Sequence, residues 1–182
     1  AFVERFEVIA GVLHGAGLRP GERVLLAYPP GVEMMAALLG CVRLGLIPVP
    51  ISPPTPRGFE AGMKKLVLIA RDCGAEVVLT TRAYAWSLRM LRVRRRVKTF
   101  SFRPDEASPL RWIHTDTITS APSAPTPPSS EVAFLQYTSG STGSPKGVIV
   151  THGNLLANAP AVVGHNAIGV SWLPQYHDMG LI

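Results

Sequence analysis

One glycine-rich segment, Tyr137–Gly147, carries the side chains best suited to chemistry, and its sequence is YTSGSTGSPKG. Glycine lets a backbone approach a ligand closely, and consecutive N–H groups in such a turn form a concave anion site. Lys146 adds a point charge that suits phosphate. Apolar runs flank the segment, so we expect a polyphosphate-binding loop between two strands, 132–137 and 147–151.

Two familiar loop motifs do not fit this segment. A Walker A loop needs Gly-Lys followed by Ser or Thr, whereas Pro145 precedes Lys146 and Gly147 follows it. A nucleophile elbow needs a serine with glycine two residues away on both sides, and no serine here has that spacing. A flexible Gly/Ser hairpin tip is the alternative, but such a tip does not require a Pro-Lys-Gly exit between apolar strands.

The glycine-rich segment resembles the phosphate-binding signature of the adenylate-forming superfamily, which includes acyl-CoA synthetases, peptide-synthetase adenylation domains and luciferases. Residues 171–182, SWLPQYHDMGLI, are similar to the next core motif of that superfamily. Their sequence is typical of the fatty acyl-AMP ligase branch. Residues 28–54, with Pro-Pro-Gly and a second proline-rich turn, are similar to the N-terminal part of those ligases. The resemblance is weakest in the Pro-rich stretch and in the arginine-rich stretch before it.

The resemblance assigns roles to individual residues. Lys146 would neutralise the β- and γ-phosphates of ATP, and His177 would gate the site of the substrate carboxylate, although a structural histidine is the alternative. The residues themselves carry two further predictions. Trp172 lies in an apolar, strand-like run and would pack in the core or line an acyl tunnel, and His152 directly follows a strand and would orient the loop. The implied phosphate-binding residues are Thr138, Ser139, Gly140, Ser141, Thr142, Gly143, Lys146 and Gly147.

The implied reaction joins a fatty acid to ATP, with Mg²⁺, and forms acyl-AMP and pyrophosphate. The acyl group then passes to the thiol of an acyl carrier protein or a polyketide synthase, with coenzyme A as the alternative acceptor. An acyl-CoA ligase, a peptide-synthetase adenylation domain and a non-catalytic binding domain remain alternatives. The motifs for Mg²⁺, adenine and ribose and a C-terminal lid lie beyond Ile182 in similar enzymes, so no metal ligand is predicted and we expect the chain alone to be inactive.

Composition narrows the class of protein. The 182 residues are 47% hydrophobic, enough for a core, and carry a net charge of +6. Few aromatic residues lie among the clustered basic ones, which argues against nucleic-acid binding; a solvated helix end or a docking patch for an acidic partner are the alternatives. The cluster comprises Arg82, Arg89, Arg92, Arg94, Arg95, Arg96, Lys98 and Arg103.

Cys41 and Cys73 lie in apolar helical patterns with no metal-ligand spacing, so we expect buried free thiols. No signal peptide or membrane span is predicted, and a reducing, cytoplasmic setting is expected.

Hydrophobic periodicity predicts an α/β fold with a largely parallel sheet and flanking helices, the N-terminal part of the large domain of an AMP-binding enzyme. Strands and helices alternate at the spacing of βαβ units. Region 1–119 would form the α/β part, 120–130 a Pro/Ser-rich surface linker, and 131–182 the loop region, where Pro160 would cut short a helix that starts at His152. The other predicted strands are 23–28, 46–51, 76–80 and 97–102, and the predicted helices are 2–16, 35–45, 58–73 and 84–91.

Overall fold

Four short parallel strands form the central sheet of the computed structural model. They are β1 (Arg23–Leu26), β2 (Ile47–Pro50), β3 (Val77–Thr80) and β4 (Arg111–His114), in the order β2-β1-β3-β4. The structure describes residues 2–96, 110–127, 130–138, 145–162, 173–174 and 176–177, without the side chains of 91–96 and 159–162.

Helices connect these strands and cover both faces of the sheet. The described helices are α1 (Phe2–Gly15), α2 (Val32–Arg43), α3 (Phe59–Cys73), α4 (Arg82–Arg96) and α5 (His152–Val162). The chain runs outward from β1 through α2 to β2 and then returns over β1 through α3 to β3. Because such crossovers are right-handed, this reversal places α2 and α3 on opposite faces.

The two hydrophobic clusters on the faces of the central sheet follow from the alternation of side chains along β1 and just after it. Val24 and Leu26 pack in a cluster with residues of α1 and α2, whereas Leu25 and Ala27 pack in a second cluster with residues of α3. Successive strand side chains point to opposite faces, and a parallel sheet covered on both faces has strands that are apolar throughout. The predicted α/β fold with a parallel sheet is therefore confirmed.

A separate antiparallel hairpin carries the glycine-rich segment. It consists of β5 (Val132–Thr138) and β6 (Lys146–Thr151), which confirms the two predicted flanking strands. β5 lies against β2, and two of its side chains, Leu135 and Tyr137, pack on the α3-side cluster. The hairpin is thus fixed to the edge of the sheet where β2 ends.

Two regular elements differ from the prediction. β4 was not predicted, because it is a four-residue, partly exposed edge strand with no clear alternation. α4 continues to Arg96 and not to residue 91, since arginine is a good helix former even where apolar periodicity stops. The predicted strand 97–102 lies outside the described residues.

Pro160 does not end the helix that starts at His152. α5 continues to Val162, so the predicted break there is wrong. Pro160 lies in the last turn, where the missing N–H removes a single backbone hydrogen bond.

The Pro/Ser-rich stretch has no regular secondary structure and is mostly exposed at 120–127, yet it packs on the helices beneath it. Ala124 is buried, and Arg43 donates to the carbonyl of Pro125 at 3.1 Å. A Cβ built on Gly11 would lie 2.1 Å from the carbonyl oxygen of Pro122. The stretch therefore lies against α1 and α2 over these residues.

Both cysteines are buried and free, as predicted. Burial raises the pKa of the Cys41 thiol and that of the Cys73 thiol. None of the described helices is long and apolar enough to cross a bilayer.

Candidate functional site

The two ends of the glycine-rich segment are brought together at one end of the hairpin. Thr138, the last residue of β5, is the register partner of Lys146, the first residue of β6. Directly opposed residues in an antiparallel pair have Cα atoms about 4.5–5.5 Å apart, and both side chains are exposed. The other predicted phosphate-binding residues, Ser139, Gly140, Ser141, Thr142 and Gly143, lie outside the described residues.

Tyr137 fixes this end of the hairpin to α3. Its hydroxyl donates a hydrogen bond to the carboxylate of Asp72, and burial, followed by that hydrogen bond, raises the pKa of Tyr137. Gly147 is the register partner of Tyr137, and a Cβ at Gly147 would lie 2.9 Å from the ring carbon Cζ. Glycine at 147 thus makes room for the tyrosine ring, in addition to its predicted role beside phosphate.

A cleft of about 340 Å³ opens at the same end of the hairpin. It lies where β2 and β5 end, which is the position where ligands of open α/β sheets bind. The walls combine apolar side chains with hydroxyl, amide, ammonium and imidazole groups. The lining residues are Pro50, Ile51, Ser52, Lys65, Ile69, Gln136, Tyr137, Thr138, Tyr176 and His177.

His177 lies in the wall of this cleft together with Thr138. Its side chain is exposed, and its backbone N–H donates to the carbonyl of Pro174 at 2.9 Å, which closes a turn. The tertiary structure therefore brings a residue of the second motif against the end of the glycine-rich segment. Trp172, the other predicted acyl-site residue, lies outside the described residues.

Gln136 is a cleft residue that the sequence did not single out. Its side chain is 6% exposed, and Nε2 donates to the carbonyl of Tyr176 at 3.1 Å. Oε1 is buried without a hydrogen-bond partner among the described residues, an arrangement that costs free energy. The only signal in the sequence was a polar residue inside the apolar run of β5. Gln136 ties the segment that carries His177 to the hairpin.

His152 does not lie near the loop. It is the first residue of α5, and its backbone N–H donates to the carbonyl of Glu131 at 3.1 Å, at the opposite end of the hairpin. It lies six residue steps along the chain from Lys146, or about 20 Å at the usual rise of a strand. The prediction that His152 orients the loop is therefore wrong.

The described residues do not supply a metal site. They contain no group of three or more His, Cys, Asp or Glu side chains that could hold an ion. The Mg²⁺ implied by the resemblance therefore has no ligands to assign here, and no chemical step is assigned to it.

Sequence and fold comparisons give the class of protein. Residues 1–182 match the family described as "AMP-binding enzyme". The chain is 35% identical over 170 residues to a medium-chain-fatty-acid–[acyl-carrier-protein] ligase, JamA, from Moorena producens, covering 88% of this chain and 27% of that protein.

Two crystal structures of Legionella pneumophila proteins share the fold. One is described as a fatty acid AMP ligase, with TM-score 0.78 and 34% identity. The other is a fatty acyl-adenylate ligase in complex with acyl adenylate and pyrophosphate, with TM-score 0.73 and 33% identity. Each match covers 99% of this chain and 30% of the other.

The chain belongs to the AMP-binding enzyme family. It spans a little over a quarter of the length of the curated relatives that it matches.

Proposed function

We propose that the chain contributes the phosphate-binding hairpin and part of the acyl site to an ATP-dependent fatty acid adenylating enzyme. The carboxylate oxygen of the fatty acid attacks the α-phosphorus of ATP, the bond from that phosphorus to the bridging oxygen breaks, and pyrophosphate leaves. The thiol of a carrier protein then attacks the acyl carbonyl and releases AMP. The enzyme first forms a mixed anhydride with AMP, because a free carboxylate is a poor acyl donor.

The observation that carries this proposal is the meeting of both motifs at one cleft. Thr138 and Lys146 are opposed at the end of the hairpin, and Thr138 and His177 line the same 340 Å³ space. A charged and hydroxyl-bearing edge next to a partly apolar wall suits a molecule with a polyphosphate at one end and an acyl chain at the other.

Lys146 is assigned to the departing pyrophosphate. A positive charge placed where negative charge develops lowers the barrier of the transfer step. Thr138 and the residues of 139–143 would donate to the same phosphates. His177, exposed in the cleft wall, is assigned to the entry of the carboxylate.

The names of the similar proteins support a fatty acyl substrate and a carrier-protein acceptor. JamA is named as a ligase of fatty acids to an acyl carrier protein, and the Legionella complex holds an acyl adenylate. Polyketide or lipid biosynthesis is proposed from the same resemblance, and a cytoplasmic location is proposed from the free cysteines. Coenzyme A as the acceptor is the alternative.

The test measures pyrophosphate–ATP exchange in the longest natural polypeptide that contains this sequence. Exchange with dodecanoate, none with phenylalanine, and transfer of radiolabelled acyl groups to holo acyl carrier protein are expected. Acyl-CoA formation without carrier loading would favour the coenzyme A ligase. Absence of both ATP binding and pyrophosphate–ATP exchange would indicate a non-catalytic domain.

The 182-residue chain is a useful comparison in the same assay. We expect exchange at background for this chain alone, because the residues that hold adenine and ribose in similar enzymes lie beyond Ile182. Robust exchange by the purified chain would contradict that expectation.

A further inference from the structure

A second and larger cleft, of about 500 Å³, lies between α3, α4 and β4 and shares no lining residue with the candidate site. Phe59 and Met63 of α3 and Trp112 of β4 supply apolar wall, and Arg82, Trp86 and Arg89 line it from α4. Nothing in the adenylation proposal uses this cleft.

The spacing on α4 places the charged and aromatic residues on one face. Residues four and seven positions apart share a helix face, so Trp86 lies between Arg82 and Arg89. The two arginines are separated by about 10 Å along the axis at 1.5 Å per residue. Trp86 is 63% exposed, so much of its indole ring is accessible beside the cleft.

The guanidinium groups of Arg82 and Arg89 make no ion pair with a described residue, whereas Arg5 and Arg43 pair with glutamates elsewhere. The backbone N–H of Arg82 donates to the Asp116 carboxylate at 2.7 Å, which fixes the start of α4. The first two arginines of the basic cluster therefore face the cleft with their charge uncompensated among the described residues.

We propose that this cleft binds an acidic amphipathic helix of a partner protein. An amphipathic helix places its apolar face in a hydrophobic groove through anchors three, four and seven residues apart, which suits the wall of Phe59, Met63 and Trp112. Carboxylates on the flank of that helix meet Arg82 and Arg89, whose spacing of two helical turns matches two side chains seven residues apart on the partner. Exposed tryptophan and arginine are the residues that most often dominate such interfaces.

Charge complementarity favours an acidic helix over a fatty acid as the occupant of this cleft. Two cations about 10 Å apart along a helix match a row of carboxylates better than the single carboxylate of a fatty acid. The sequence places four further arginines in the same helix, Arg92, Arg94, Arg95 and Arg96. The proposal is independent of the adenylation chemistry.

The test uses the 182-residue chain and a fluorescein-labelled, 18-residue helical peptide with leucines on one face and glutamates on the flanks. A control peptide keeps the leucines and replaces every glutamate with lysine. We expect anisotropy to report binding of the acidic peptide, weakening as salt rises, and at least tenfold weaker or no binding of the lysine peptide. Equal binding of both peptides would overturn the proposal.

Two variants test whether the acidic peptide binds in this cleft. Arg89→Glu is expected to weaken binding by about tenfold and Trp86→Ala by a similar factor. Arg19→Glu, a reversal of an exposed arginine outside the cleft, should change the Kd less than about twofold. Circular dichroism and Tm of each variant check the fold, and unchanged affinity in a folded Arg89→Glu variant would reject the site.

A small amphiphile is the competing occupant. Sodium dodecanoate, added below its micelle concentration, should neither bind in the cleft nor displace the acidic peptide. Saturable dodecanoate binding that Arg89→Glu and Trp86→Ala abolish, with no binding of the peptide, would assign the cleft to a small ligand and overturn the proposal.

Discussion

At the scale of single residues, Lys146 carries the strongest assignment. The first residue of β6, it is exposed and opposed to Thr138, so its ammonium group can reach a ligand without desolvation by the core. Thr138 supplies a hydroxyl from the neighbouring strand. A flexible hairpin tip would not require a cation fixed at this position by strand pairing.

Lys146→Ala is expected to reduce kcat/KM for ATP in the longest natural polypeptide that contains this sequence. A charge-assisted contact is worth roughly 1.5–3 kcal/mol, which is about tenfold to over a hundredfold. Lys64→Ala, which removes an exposed lysine of α3, serves as the matched control and should change kcat/KM less than about twofold. An effect of Lys146→Ala no larger than that of the control would remove the phosphate assignment.

His177 is the second residue with a testable role. Because its side chain is exposed in the cleft wall, His177→Ala should leave the Tm nearly unchanged. If the imidazole gates the carboxylate, kcat/KM for the fatty acid should fall by about tenfold or more while ATP affinity stays within a few-fold. Parallel losses for both substrates together with a lower Tm would identify a structural histidine. His14→Ala, at an exposed position of α1, is the control.

At the scale of elements, the contact between α1 and the Pro/Ser-rich stretch is unusually close. Gly11 lies in the middle of α1 and permits the carbonyl of Pro122 to approach the helix backbone. Arg43 of α2 donates to the carbonyl of Pro125 and, at 2.9 Å, to the carboxylate of Glu7. Backbone acceptors of the stretch are thus paired by a helix side chain, which explains why a proline-rich segment lies in a fixed place.

Gly11→Ala should destabilise the protein. The added Cβ would lie 2.1 Å from a backbone oxygen, so the stretch or the helix must shift, at an expected cost of about 1–3 kcal/mol. Gly15→Ala is the matched control, since no atom of the described part of the chain lies within 4 Å of its Cβ, and it should be neutral or stabilise by up to about 1 kcal/mol. Urea unfolding of both variants measures the difference. Equal stabilities would show that the stretch does not pack on α1 in solution.

At the scale of the whole molecule, the sheet is enclosed by helices on both faces, and this enclosure buries ionisable groups that no proposed chemistry uses. Burial raises the pKa of the Cys41 thiol, and burial, opposed in part by a hydrogen bond to Thr115, raises the pKa of Tyr28. These shifts link global stability to pH.

The free energy of unfolding should fall as pH rises from about 8.5 to 10. In this range the unfolded chain releases the Cys41 proton, whereas the folded protein keeps it. The unfolded state then binds fewer protons, and stability present below pH 8.5 is lost at up to about 1.4 kcal/mol per pH unit for this thiol. Urea unfolding across this range measures the slope.

Cys41→Ala should remove the part of the pH dependence that the Cys41 thiol contributes. Between pH 6 and 8 this thiol stays protonated in both the folded and the unfolded state, so the variant should change the free energy of unfolding by a constant amount. Cys73, whose thiol pKa is also raised, would still contribute to the pH dependence of stability in this variant. An unchanged slope in the variant would mean that the Cys41 thiol is accessible to water in the native protein.

The sequence by itself determined the local elements and the family. The alternation of apolar runs with helical periodicity predicted β1, α2, β2, α3 and β3, because each is a short buried strand or an amphipathic helix whose pattern depends on its own residues. The two motifs resemble those of the adenylate-forming superfamily, and the match of residues 1–182 to the AMP-binding enzyme family confirms that resemblance. By contrast, β4 and the end of α4 could not be predicted from local pattern.

Only the tertiary structure decided which residues meet. Gln136 and Tyr176 are far apart in the chain, and their hydrogen bond depends on how β5 lies against β2. His152, next to the loop in sequence, is placed at the opposite end of the hairpin because an extended strand carries the chain about 3.3 Å per residue away from Lys146. The packing of the Pro/Ser-rich stretch on Gly11 and the second cleft beside α4 likewise arise from crossovers that bring distant segments together, and no window of sequence contains that information.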